Sequence, residues 1–166
     1  MTERDFELPV RYVGSAEDVA GESPEDTNLL RSMAREAESY LCSFAWCQSV
    51  EKRYFGAGVG GVVGVFFFRI RPSRLGVDEW LWVIVGDLPP AYLVTDQAKT
   101  PSEALRVYIH EMRRWSDLAK SGRTSPDVIS VSVPPTPEYA GQLVSRLCFL
   151  EEEILPRFRE EEIERA

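Results

Sequence analysis

Two apolar runs dominate the chain, Gly61-Val62-Val63-Gly64-Val65-Phe66-Phe67-Phe68 and Trp80-Leu81-Trp82-Val83-Ile84-Val85. Both are rich in the β-branched and aromatic residues that suit a pleated, buried surface. Neither alternates apolar with polar positions, which predicts central strands covered on each face. The pattern places strands over 48–57, 61–70, 79–86 and 91–95. The connections between them are short, so successive strands pair as antiparallel hairpins; a parallel crossover needs a dozen residues or more.

Around this block the period changes to three and four. Leu30, Met33, Ala34, Ala37, Tyr40, Leu41 and Phe44 form the stripe of an amphipathic helix. Ser23-Pro24-Glu25-Asp26 starts it, with a capping hydroxyl, a proline preset for the first turn and acids at the positive end of the dipole. Thr100-Pro101-Ser102-Glu103 starts a second helix as a capping box, and Gly122 is placed to end it. Thr136-Pro137-Glu138 opens a third in the same style. Pro156 should kink or end that third helix, because it lacks a backbone donor and crowds the preceding turn. Between the last two helices, residues 127–133 alternate Ile129, Val131 and Val133 against Val128, Ser130 and Ser132, the pattern of a short strand. Residues 1–22 form an N-terminal arm whose apolar patch, interrupted by Pro9, suits an edge strand. Residues 157–166 read as a charged, frayed helical tail. The expected fold is α+β: one domain over 1–166, with a mostly antiparallel sheet of about four to six strands and three helices packed on it.

Charge narrows the partners. A formal net charge of −8 and a pI near 4.8 repel phosphate backbones and anionic lipid, so neither nucleic acid nor a membrane is an expected partner. A basic protein partner would be drawn to such a chain. The longest apolar stretch falls short of a membrane helix and is broken by glycine. Three cysteines, Cys42, Cys47 and Cys148, make an odd number without metal-ligand spacing and suit thiols in a reducing compartment. The first residues, Met1-Thr2-Glu3-Arg4-Asp5, lack the basic-then-apolar order of a signal peptide, so the expected location is cytoplasmic.

Candidate chemistry is thin. Gly56-Ala57-Gly58-Val59-Gly60-Gly61 spells G-x-G-x-x-G, but a strand pattern follows where a dinucleotide site needs a helix N-terminus. No nucleotide cofactor is expected. His110-Glu111 lacks the second histidine of a zinc-protease helix, and no metal is expected either. Arg106, His110 and Arg114 recur at four-residue steps, as a small basic face or, more simply, a solvated one. The runs Glu151-Glu152-Glu153 and Glu160-Glu161-Glu162 point in several directions on a helix and read as solvated. No nucleophile with a base and an orienting partner emerges, so no catalytic residue is assigned. The most distinctive loop is Gly86-Asp87-Leu88-Pro89-Pro90-Ala91-Tyr92, where two prolines stiffen a segment carrying Asp87 and Tyr92.

Two readings follow. The first is a non-catalytic acidic binding protein acting through a protein partner, as an adaptor, inhibitor or immunity-type protein does. The second is a small-molecule binder or enzyme with a pocket between sheet and helices. The candidate binding residues are Asp87, Tyr92, Arg106, His110 and Arg114.

Overall fold

A computed structural model describes residues 11–165. Five strands form one antiparallel sheet in sequence order: β1 (Gly14–Ser15), β2 (Cys47–Val59), β3 (Val63–Pro72), β4 (Trp80–Gly86) and β5 (Ala91–Val94). Helix α1 (Pro24–Cys42) precedes β2, and α2 (Pro101–Ala119) and α3 (Pro137–Phe149) follow β5. The third helix runs on through a π turn (Leu150–Ile154) into α4 (Leu155–Arg165). The fold is α+β, as the periodicities predict.

The central strands are apolar without a break over 63–68 and 80–85 because both faces are roofed there. Val63, Val65 and Phe67 on β3, with Trp80, Trp82 and Ile84 on β4, meet one cluster that also takes in α2, α3 and α4. Phe66, Phe68 and Ile70, with Leu81, Val83 and Val85, meet Leu30, Met33, Ala37 and Leu41 of α1 on the other side. Alternation is present, but each parity finds a hydrophobic core.

All three helix starts are capped as the sequence implies. The hydroxyls of Ser23, Thr100 and Thr136 accept from the amides of Asp26, Glu103 and Tyr139 at 3.1, 3.2 and 3.3 Å. The Glu103 carboxylate reaches back to the Lys99 amide at 2.6 Å, one residue beyond the usual box. The glycine motif forms the β2–β3 hairpin, with Gly61 at a φ of 76° in its turn. Asp26 ties this turn to α1, one carboxylate oxygen accepting from Gly60 N at 2.6 Å and the other from Glu22 N at 2.8 Å.

Several expectations need correction. Residues 127–133 form no strand. Val128, Ile129, Val131 and Val133 all pack on the core, so the apolar positions anchor an irregular segment rather than a ladder. Pro156 does not end the helix. The chain widens into the π turn, where Leu155 N donates to Leu150 O, and this looser turn accommodates the ring and its missing donor. The carboxylate runs are not wholly solvated. Glu151 pairs with Arg113, and Glu162 accepts from Ser102 N at 2.7 Å and Ser102 Oγ at 2.6 Å, satisfying the start of α2. The predicted edge strand around Pro9 lies largely outside the described residues. The paired edge found there is the two-residue β1, at Gly14–Ser15. Among the described residues, no helix is long and apolar enough to cross a membrane.

Candidate binding trough

The loop at 87–92 is fixed from three sides. Asp87 N donates to Val62 O of the neighbouring hairpin at 3.1 Å. From below, the buried Tyr108 of α2 donates its hydroxyl to Pro89 O at 2.6 Å. From α3, Arg146 pairs with the Asp87 carboxylate at 3.2 Å. Two prolines remove much of the remaining backbone freedom.

Three adjoining cavities open along this loop. The first, about 450 Å³, is lined by Tyr40, Phe44, Tyr92, Glu111 and residues 129, 130 and 132, together with Pro90, Ala91, Leu93 and Gln97. It shares Pro90 and Ser132 with a second, of about 310 Å³, between the loop and Trp115, Tyr139, Gln142 and Arg146. The second shares Asp87, Leu88 and Arg146 with a third, of about 280 Å³, that reaches Gly61, Val62 and Phe149. The three lie in a row along the loop, a trough divided by the residues that neighbouring cavities share. The outer wall of the second and third cavities is a stripe of α3, Tyr139, Gln142, Arg146 and Phe149, spaced three, four and three residues apart on the exposed side of the helix. At about 1.5 Å per residue that wall is roughly 15 Å long, enough for about five residues of extended chain. The Asp87–Arg146 pair lies where the second cavity meets the third.

At the first cavity the walls are aromatic. Phe44 stacks on Trp46 at 4.8 Å, and both meet Tyr92 edge-on, at 5.3 and 5.1 Å. Tyr40 meets Phe44 edge-on at 5.1 Å. Burial, and then the neighbouring Tyr92, push the Tyr40 phenol up to about 12, so it stays a neutral donor at physiological pH. Tyr108 is displaced in the same direction by burial. Beneath the aromatic cluster, burial and the adjacent Cys42 thiol push Cys47 up to about 11.

These shifts have a sign. The unfolded chain releases protons from Cys47 above its ordinary value of 9 and from Tyr40 above 10, while the folded chain keeps them to about 11 and about 12. Their contribution to stability is therefore full below pH 9 and is lost as pH climbs from about 9 towards 12. The melting midpoint of the protein should fall over that window. The Tyr40→Phe variant should fall less steeply than wild type from about pH 10; parallel curves would contradict the burial of this phenol.

The sequence-selected residues divide. Asp87 and Tyr92 both line the trough, in different cavities joined through Pro90. Arg106, His110 and Arg114 stand on the exposed face of α2, line none of these three cavities, and are not brought to the loop. Arg114 is occupied by Glu111 at 3.2 Å. Sequence reasoning missed Arg146, Tyr139, Phe44 and Glu111. The one available signal was the second stripe of α3, offset from its core stripe. Among the described residues, no group of three or more His, Cys, Asp or Glu could hold a metal ion. No family model, curated protein or solved structure matches the chain.

Proposed function

We infer that the protein is a non-catalytic binding protein that acts through a protein partner, holding an extended segment of it in the trough. The observation that carries this reading is the succession of three cavities, neighbours sharing lining residues, along a fixed loop. Such an open, elongated shape suits a chain better than a compact metabolite, whose sites enclose most of the ligand. Exposed Tyr92 and Tyr139 supply aromatic anchors, and a loop already rigid loses little entropy on binding. The net charge of −8 favours a basic partner. Cytoplasmic action is supported by the odd cysteine number and the exposed Cys42 thiol. The small-molecule reading draws support from the Tyr40, Gln97 and Glu111 side chains at the first cavity.

The test is site-specific photo-crosslinking in a native lysate. A photoreactive amino acid at position 139 should capture a discrete protein that the same group at position 163 does not, since Ile163 is 74% exposed on α4 and lines none of the three cavities. Identical, background-level capture at both positions would reject the partner reading and turn attention to metabolites.

A further inference from the structure

The partner-binding reading leaves open how a segment is held, and the free edge of β5 bears on this. β5 is the last strand of the sheet; among the described residues no further strand pairs with its outer edge, where Val94 O accepts from Gln97 N at 3.2 Å in the turn that follows and the Tyr92 backbone faces outward. Its sequence, Ala-Tyr-Leu-Val, carries no charge and no proline. Sheet edges are usually blunted by such residues, by shortness or by a cover. At the opposite edge, β1 is only two residues long.

The first cavity lies along that edge. It touches the successive residues Pro90, Ala91, Tyr92 and Leu93. Ala91 and Leu93 belong to the core on the α2 side. Tyr92 stands on the other side with Tyr40 and Phe44 of the α1 end. A cavity in contact with both parities of one strand sits beyond its edge, in the plane of the sheet. Across the cavity runs the irregular segment 129–133, of which residues 129, 130 and 132 line it. Among the described residues no hydrogen bond reaches its backbone, although its apolar side chains are anchored in the core. Among the described residues, the cavity is thus bordered by two backbone rims that no neighbouring strand pairs.

We propose that a basic, extended segment of the partner enters this slot and adds to β5 as a sixth strand. The proposal rests on the partner-binding reading and specifies its mode. A second copy of the chain fits less well, because each β5 edge is recessed behind its own residues 129–132. Charge selects the occupant. Among the described residues Glu111 is the only charged side chain lining the cavity, which it shares with Tyr40, Phe44 and Tyr92; its 3.2 Å pair with Arg114 on the helix surface is weak enough for an incoming cation to compete for the carboxylate. A carboxylate beside aromatic faces receives a Lys or Arg side chain.

The probe is a displayed library of eight-residue peptides selected against the full chain. Enriched peptides should carry a Lys or Arg within an alternating sequence, and should slow amide exchange at both 91–94 and 129–133. N-methylation of central peptide amides facing β5 should weaken binding about tenfold, the loss of one or two backbone hydrogen bonds. Glu111→Gln, a change on a helix surface, should weaken it about fivefold with an unchanged melting midpoint. Peptides that bind yet tolerate N-methylation everywhere, or leave exchange at 91–94 unaltered, overturn strand addition while the crosslinking result still stands. Enrichment without basic residues, or indifference to Glu111→Gln, overturns the basic occupant. Failure to enrich any peptide overturns strand addition as well, and the crosslink at position 139 then decides the partner reading separately.

Discussion

Replacing Trp82 with alanine should remove about 3–5 kcal/mol of stability, the range for truncating a large buried aromatic side chain. Trp82 is 0% exposed at the centre of β4, opposite Leu93 of β5, with its ring 4.6 Å from that of Phe67. Its indole Nε1 donates to Ala98 O at 3.0 Å and so pins the chain between β5 and α2. A domain of this kind holds about 5–15 kcal/mol in total, so the variant would be close to its unfolding threshold. Trp82→Phe separates the two contributions. It keeps most of the ring and removes the donor, leaving a buried carbonyl unpaired, at about 1–3 kcal/mol. Trp80 is 8% exposed, with Arg69 5.8 Å from its ring, and should lose less on truncation than Trp82. Urea denaturation with matched slopes measures all three. A loss below about 1 kcal/mol for Trp82→Ala would contradict the central position of β4.

What the sequence revealed, and what it hid, follows the range of the forces involved. Ser23, Thr100 and Thr136 were legible as caps because a cap bonds an amide three residues away. Continuous apolar runs identified β3 and β4 because only a sheet covered twice tolerates them. The stiff loop at 87–92 was legible from its prolines, but its opposite wall was not. Arg146 reaches Asp87 across 59 positions, and that depends on how α3 docks against α2. Asp26 and Glu162 were opaque for the same reason, since their amide partners, Gly60 and Ser102, lie 34 and 60 positions away. Residues 129–133 carry a period of two in burial and still make no strand. Alternation records which side chains are buried; whether a neighbouring backbone comes within bonding reach is a tertiary matter.

Gly86→Ala should be the other severe substitution, at about 3 kcal/mol or more, combining backbone strain with overpacking. Gly86 closes β4 opposite Val63 and adopts a φ of 151°, a conformation that side-chain-bearing residues rarely reach. An added Cβ would lie 2.2 Å from Val62 O and 2.9 Å from Val63 Cα. Both are backbone atoms, so no side-chain rotation relieves the overlap. Relief requires the β2–β3 hairpin turn and the exit of β4 to separate. That movement would also strain the 3.1 Å bond from Asp87 N to Val62 O, on which the trough loop depends. The variant should therefore lose partner binding beyond what its lower stability explains, when both are measured well below its melting midpoint. Gly141→Ala is the matched control. It sits on the exposed side of α3 with nothing within 4 Å of an added Cβ, and alanine in a helix gains up to about 1 kcal/mol over glycine. Equal melting midpoints for Gly86→Ala and wild type would mean that β4 leaves the sheet by another path, and the fixed loop at 87–92 would lose its footing with it.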